Sequence, residues 1–389
     1  MTDKSVILGP GKDKAVRNRH HWIFSGAVHH LPSFEPGEIL PVVSFEGDRL
    51  GSAYFNPKCS IIGRMLAFDE TPPLEALAAA LGRAAALRRP FLDAATTAVR
   101  IVNGEGDDCP GLIVDRYADA LVVQISTLGM DKLRDFILDE LARLLNPRSI
   151  HEKSNLPSRR EEGLPSREGP VRGEPAGRVE ILEAGLRFFV DIAESQKTGF
   201  YLDQREMRLL ARRLSGGRRV LNAFAYTGGF TVASLAGGAT KADSVDISAK
   251  AVALARENCV LNGFEGPHLG FFAADVFEFL RARPLDYDFI VLDPPAFAKR
   301  KGEVMAACRG YKDIHRLVFE KAPDGALVMS FSCSHFVDET LFQQVVFQAA
   351  REAGRRVRIL ERHRQAFDHP VNIYHPESEY LKGLLLHIG

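Results

Sequence analysis

The sequence predicts an α/β protein built on an open, mostly parallel sheet whose last strand returns antiparallel, preceded by a β-rich unit and a small mixed α/β unit. Three observations carry that prediction. From residue 218 onward strand-like runs alternate with helical ones, the pattern of parallel βαβ units with helices on both faces. The last two strand-like segments, 356–362 and 380–388, have no helix between them, so the final strand can lie antiparallel. Before residue 70 the chain is instead a series of short apolar runs broken by Gly and Pro, which reads as β structure. At 389 residues it exceeds the ~250 to 300 residues that one core fills, and a division into 1–71, 72–190 and 191–389 follows.

In the first part strands are expected at 6–8, 38–45, 49–56 and 60–68. A helix over 74–91, with apolar residues at helical spacing and Pro72-Pro73 at its start, opens the second part. Strands at 111–116 and 120–125, an amphipathic helix over 131–145 and a strand at 149–153 continue it. Residues 157–177 are dense in Pro, Gly, Arg and Glu, so they are expected to bury no face and to form an exposed hairpin tip or mobile loop. In the third part strands at 219–224, 242–246, 268–275, 287–293 and 326–332 alternate with helices from 230 and over 248–262, 276–283 and 338–353.

Composition narrows the function classes. Hydrophobic residues are 46% and charged residues 26%, with 50 basic against 50 acidic side chains, so no global field draws the chain to nucleic acid or to an acidic membrane. The five cysteines have no CxxC or Cys/His spacing, which argues for free thiols in a reducing cytosol and against a structural metal. No signal-like start and no apolar run of ~20 residues is found. A cytoplasmic location without membrane or metal partners is the expectation.

The ligand-binding edge of such a sheet is its carboxyl side. There, the turn after the first strand of the series, 222–230, holds Asn222, Phe224, Tyr226, Thr227 and Gly228. It lacks the GxGxxG pattern and the anion cradle a dinucleotide pyrophosphate needs, so a nucleoside without phosphates fits better. Asp246, followed by Ile247, ends the second strand, where an acidic side chain can accept both ribose hydroxyls. Asp275, followed by Val276, ends the third and can accept from an adenine amine. Each aspartate could instead be a plain helix cap; together they describe S-adenosylmethionine. Ahead of the sheet the block 196–205 offers Lys197, Thr198, Gly199, Tyr201 and Asp203 for the methionine half of that cofactor, or else a solvated helix start.

Asp293-Pro294-Pro295-Ala296-Phe297 ends the fourth strand. Two prolines leave carbonyls unclaimed by N–H groups, and Phe297 offers a ring for a base to stack on; a stiff exit turn is the plainer reading. Cys333, at the end of the fifth strand and ahead of a helix, is the one cysteine of the five in such a place, where a helix dipole favours thiolate. A thiolate added to carbon-6 of cytosine turns the ring into an enamine whose carbon-5 can attack a sulfonium methyl, with Asp293 on the ring nitrogen and amine. Lys299, Arg300 and Lys301 open a basic stretch extending through Arg309, Lys312 and Arg316, suited to RNA phosphates.

These strings, with 19–26, 196–205, 224–230, 293–295, 332–334 and 379–382, resemble bacterial large-subunit ribosomal RNA cytosine-5 methyltransferases of the RlmI type over nearly the whole chain. The resemblance implies an RNA-binding PUA domain, a middle domain and a class I (Rossmann-like) methyltransferase domain. It implies Cys333 as nucleophile, Asp246 and Asp275 on the cofactor nucleoside, Asp293 between cofactor and base, and large-subunit ribosomal RNA as partner; formation of a homodimer stays open. Relatives in other groups carry a second thiol where this chain has Pro295. Transfer to a guanine or adenine nitrogen without a covalent adduct, and a non-catalytic assembly factor that only binds RNA, remain alternatives; a nicotinamide oxidoreductase stands behind them.

Overall fold

The computed structural model describes residues 4–193, 198–298 and 300–389. The chain forms two compact units. The first takes residues through Leu182, with Val190–Leu202 and Phe367–Ser378; the second takes Glu183–Phe189, Asp203–Ala366 and Glu379–Gly389.

The first unit carries two sheets. One has six strands in the spatial order Trp22–Phe24, Ile61–Ala67, Arg49–Phe55, Ile39–Val43, Val6–Leu8, Val28–His30. Four of these match the expected β-rich start, while Trp22–Phe24 and Val28–His30, only three residues each, are too short to show alternation in sequence. The other sheet runs Arg167–Gly173, Ser149–Ser154, Ala120–Ile125, Leu112–Tyr117, Ala98–Asn103, against helices Pro73–Arg88 and Arg134–Leu145. The first sheet has a core of its own, with Val6, Leu8, Val42, Phe55 and Met65, while Tyr54 and Leu66 are buried instead in one cluster with Leu77, Leu121 and Ile137.

The segment 157–177 corrects the expectation of an unpacked loop. Pro157–Glu161 is helical and Arg167–Gly173 pairs antiparallel with Ser149–Ser154. Arg159 is wholly buried, donating through Nη1 to Asp131 (2.9 Å) and the Ile125 carbonyl (2.7 Å), and through Nε to the Pro165 carbonyl (2.8 Å). Glu162 is buried against Arg64 (2.8 Å) and Asn56 (2.6 Å). Charged residues go inside when each is paired and hydrogen-bonded, a condition that composition does not reveal. The edge strand itself keeps its charged residues exposed, as edges generally do.

The second unit is one seven-stranded sheet: β1 Arg219–Ala223, β2 Lys241–Asp246, β3 Leu269–Ala273, β4 Phe289–Leu292, β5 Leu327–Ser332, β6 Val357–His363 and β7 Lys382–Ile388. Their spatial order is β3-β2-β1-β4-β5-β7-β6. The first five are parallel and β7 is antiparallel to both β5 and β6, as the missing helix before it predicts. Its helices are α1 Arg205–Leu214, α2 Gly229–Ala236, α3 Ala249–Leu261, α4 Val276–Ala282, α5 Val304–Lys321 and α6 Glu339–Glu352. Helix α5 went unread in the sequence, its basic residues masking a face that buries Tyr311, Ile314, Leu317 and Val318. No helix among the described residues is long and apolar enough to cross a membrane.

Candidate active site

Parallel register puts Ala223, Val245, Leu292 and Ser330 level with one another, so the turns after β1, β2, β4 and β5 all leave from one edge of the sheet. This is the edge where open α/β folds bind ligands.

At the first of these turns the backbone is held in a sparsely populated conformation. Phe224 and Tyr226 have φ of 61° and 46°, and Gly228 has φ of 79°, a region that L-residues other than Gly rarely adopt. Such strain persists where surrounding bonds enforce it and concentrates at ligand sites. Here Tyr226 N donates to Asp246 Oδ2 (2.9 Å), Ala225 N to the Val245 carbonyl (2.9 Å), and Asn258 Nδ2 to the Thr227 carbonyl (2.9 Å). A methyl group added at Gly228 would lie 2.8 Å from the Ala255 Cβ.

Asp246 does not cap the following helix. Its oxygens accept from Tyr226 N and Ser248 N (2.9 Å each), while Ser248 caps α3 through Ala251 N (3.2 Å). The fixed carboxylate keeps lone pairs for two further donors, and Ile247 beside it is 76% exposed. Asp275 is different, because its Oδ1 caps α4 by accepting from Glu278 N (3.0 Å). Val276 has its side chain in the core, so it can offer a ligand only backbone. Asn222 is buried, its amide donating to Thr231 (2.9 Å) while Oδ1 has no partner.

The block ahead of the sheet divides between the units. Lys197 lies outside the described residues. Thr198, Gly199 and Tyr201 belong to the first unit, where the Thr198 hydroxyl meets Tyr117 (3.2 Å). Gly199 has φ of 148°, and a Cβ on it would meet Val190 at 2.6 Å. In the second unit Asp203 is buried and accepts from the Tyr380 hydroxyl (2.5 Å). Gln204, unassigned in the sequence reading, donates from Nε2 to Asp293 Oδ1 (3.2 Å).

After β4, Pro294 is buried and Pro295 exposed. The Phe297 ring packs against Phe277 (6.2 Å) and Tyr311 (4.7 Å) and stays half-buried. Lys299 lies outside the described residues, and Arg300 is exposed. The basic stretch is smaller than its count, since Lys312 pairs with Glu352 and Arg316 with Asp313 and Glu320.

After β5, Cys333 is half-buried between two buried serines. Ser332 Oγ donates to the Tyr311 hydroxyl (3.0 Å), that hydroxyl meets Ser334 Oγ (3.1 Å), and Ala298 N donates to Ser334 Oγ (3.3 Å). The helix that follows is capped by Asp338, which accepts from Leu341 N (2.8 Å). A cation arrives from β7: Lys382 Nζ donates to the Ser334 carbonyl (2.7 Å) and the Tyr380 carbonyl (2.8 Å). Burial is the largest influence on the other four thiols and pushes each up, Cys59 to about 11 and Cys259 to about 12.

Two features of the first unit lay outside the sequence reading. His20, His375 and Glu377 bring potential metal-ligand atoms within 4.8 Å of one another. His20 Nδ1 accepts from Trp22 N (3.2 Å), which leaves Nε2 to face Glu377 (3.2 Å), while the buried Nδ1 of His375 has no hydrogen-bond partner. Nearby, Arg17, Asn18, Arg19, Ile373 and Tyr374 line a cleft, its last two residues exposed on a turn that Asn372 ties to Asp108 (3.1 Å). The contributing segments lie more than 350 residues apart in sequence, which hides the cleft from linear reading.

Family models match residues 6–68 as a PUA-like domain and residues 165–379 as an S-adenosylmethionine-dependent methyltransferase. The chain is 39% identical over 392 residues to ribosomal RNA large subunit methyltransferase I of Shewanella denitrificans, covering 98% of this chain and 99% of the relative. It is also 39% identical to the protein of the same name from Salmonella arizonae, covering 97% and 96%. A solved structure described provisionally as a methyltransferase, in complex with SAH, superposes with a TM-score of 0.86 at 23% identity, covering 99% of this chain and all of the other.

Proposed function

Since the chain belongs to the S-adenosylmethionine-dependent methyltransferases, in the family of ribosomal RNA large subunit methyltransferase I, we propose that it forms 5-methylcytidine in large-subunit ribosomal RNA through a transient bond from Cys333 to carbon-6. The observation that carries this reading is the sulfur of Cys333 at the same sheet edge as Asp246 and Asp293, between two serines anchored on Tyr311.

The protein uses S-adenosylmethionine, and the residues present fit it. A carboxylate fixed by two backbone donors with lone pairs to spare (Asp246), an exposed apolar side chain beside it (Ile247), a strained turn and a buried acceptor without a partner (Asn222) suit a nucleoside. Asp246 would hold the ribose hydroxyls, Ile247 one face of the adenine, and the second oxygen of Asp275 the adenine amine. The bound cofactor supplies an electrophilic methyl group. We assign Phe224, Tyr226, Thr227 and Gly228 to its cradle, with Lys197, Thr198, Gly199, Tyr201 and Asp203 towards its methionine end.

The chain's own groups then act on the base. The Cys333 thiolate adds to carbon-6, and the ring electrons move to carbon-5, which takes the methyl group. Loss of the carbon-5 proton to a base restores the double bond and expels the thiolate. Asp293, steadied by Gln204, faces the ring nitrogen and exocyclic amine. Pro294 and Pro295 contribute carbonyls at the turn, Phe297 backs it, and Lys299, Arg300 and Lys301 take phosphates. The cleft with Arg19 and Tyr374 is a further RNA contact on the PUA-like part, suited to a stacked unpaired base. The division 1–71, 72–190 and 191–389 is our functional reading of the chain, with activity on the ribosome's RNA in the cytoplasm.

The test is methyl transfer to large-subunit RNA by Cys333→Ala, with trapping by RNA carrying 5-fluorocytidine, whose fluorine cannot leave as a proton does. Loss of transfer together with a wild-type covalent adduct is expected. Transfer retained above a trace in the variant, or methyl found on a purine nitrogen, would refute the mechanism.

A further inference from the structure

We propose that Lys382 is a positioning residue for this reaction, its ammonium holding the Cys333 sulfur as the thiolate that adds to the base. The inference rests on Cys333 as nucleophile and adds the source of its charge.

The strand register sets up the contact. Lys382 on β7 pairs with Ser332 on β5, and its Nζ reaches the carbonyl of Ser334 at 2.7 Å. Lys382 thus meets the residues on both sides of Cys333, Ser332 through the backbone ladder and Ser334 through its side chain. Lys382 is only 7% exposed, and its ammonium donates to two neutral carbonyls. An ammonium removed from water keeps its proton poorly unless an anion compensates it.

Burial pulls Lys382 down to about 8; of the charges that act on it, the Cys333 sulfur opposes this most strongly, followed by Asp338 and Glu379, while Arg364 reinforces it. Asp338 is engaged as the cap of α6. Glu379 pairs with Arg364 (2.6 Å), which also pairs with Glu339 (2.6 Å), so those peripheral charges largely offset one another. The sulfur is the anion the buried ammonium lacks. In proton terms, the thiol gives its proton to water and Lys382 keeps its own. The S–C6 bond then forms and breaks beside a constant positive charge, which stabilises the leaving thiolate as well as the attacking one.

The measurement is the rate of iodoacetamide alkylation of Cys333 in the full chain, followed by peptide mass across pH, which needs neither RNA nor cofactor. In the wild type the midpoint should lie below the ~8.5 of an ordinary thiol. Lys382→Met should raise it by about one unit or more and slow alkylation at neutral pH about tenfold, while Lys382→Arg retains most of the wild-type profile. Should Lys382→Met not fold, Cys333→Ser provides the reciprocal reading, a downward shift of the Lys382 titration by NMR. A midpoint unchanged in Lys382→Met, or a Lys382 titration unmoved in Cys333→Ser, overturns the inference and leaves the cytosine reaction standing. A shifted midpoint in a protein that traps no RNA adduct supports the charge pair and refutes the reaction instead.

Discussion

Replacing Tyr311 by Phe deletes one oxygen and leaves the ring in place against Phe297 and Phe342, whose centroids lie 4.7 and 5.4 Å away. What is lost is the bridge between Ser332 (3.0 Å) and Ser334 (3.1 Å). Ser334 keeps the donation from Ala298 N, but the Ser332 hydroxyl is left buried. One neutral hydrogen bond is worth about 1 kcal/mol net and an orphaned buried hydroxyl costs about 1–3, so stability should fall by about 2 kcal/mol, read as a urea-midpoint shift. If the bridge also fixes the direction of the Cys333 sulfur, kcat for methyl transfer should fall about tenfold, equivalent to ~1.4 kcal/mol at the transition state. Cofactor affinity should not change, because the Tyr311 hydroxyl bonds the two serines after β5. A variant that loses the stability but keeps kcat would show that the serines only pack the strand end and do not aim the thiol.

Asp246→Asn removes a charge-assisted acceptor, each worth about 1.5–3 kcal/mol, and should weaken SAH binding roughly 10- to 100-fold by calorimetry; unchanged affinity would displace Asp246 from the ribose. Arg159→Met breaks a buried pair, leaving Asp131 only the longer contact to Arg167 (3.6 Å) and depriving two carbonyls of a donor, so a loss of about 3 kcal/mol is expected in urea unfolding, against nearly none if 157–177 were an unpacked loop. His315 is fully buried, its Nδ1 facing the Tyr311 carbonyl and Nε2 facing Ser330 Oγ, and burial pulls it down to about 4. Its unfolded form takes up a proton near the usual 6.5 while the folded form does not, so stability should decline by up to ~1.4 kcal/mol per unit as pH falls from 6.5 to 4. His315→Gln should lessen that slope in pH-dependent melts.

Much of the second unit was legible because its signals are local. Strand and helix alternate, Gly228 and the aspartates sit at strand ends, and the missing helix before the last strand announces its reversal. What escaped depends on contacts between distant segments. Arg159 reads as a solvated charge until Asp131 is placed beside it. Helix α5 reads as a basic patch until Glu352, Glu320 and Asp313 pair with its cations. Lys382 stands in a recognisable string, yet only the β5–β7 register shows that it addresses the neighbours of Cys333. The contacts of Phe297 with Phe277 and Tyr311 likewise come from other elements.

The boundary between the two units is crossed five times by the chain, after Leu182, Phe189, Leu202, Ala366 and Ser378. No single cut therefore yields two self-sufficient pieces. A truncation beginning near residue 191 would keep Phe367–Ser378 but discard its host, uncovering the ring of His375 that now lies among His20, His21 and Trp22. The stranded excursion would also hang between β6 and β7, the hairpin that delivers Lys382. Engineers seeking a minimal catalyst from this protein should graft or shorten that excursion before removing the front of the chain.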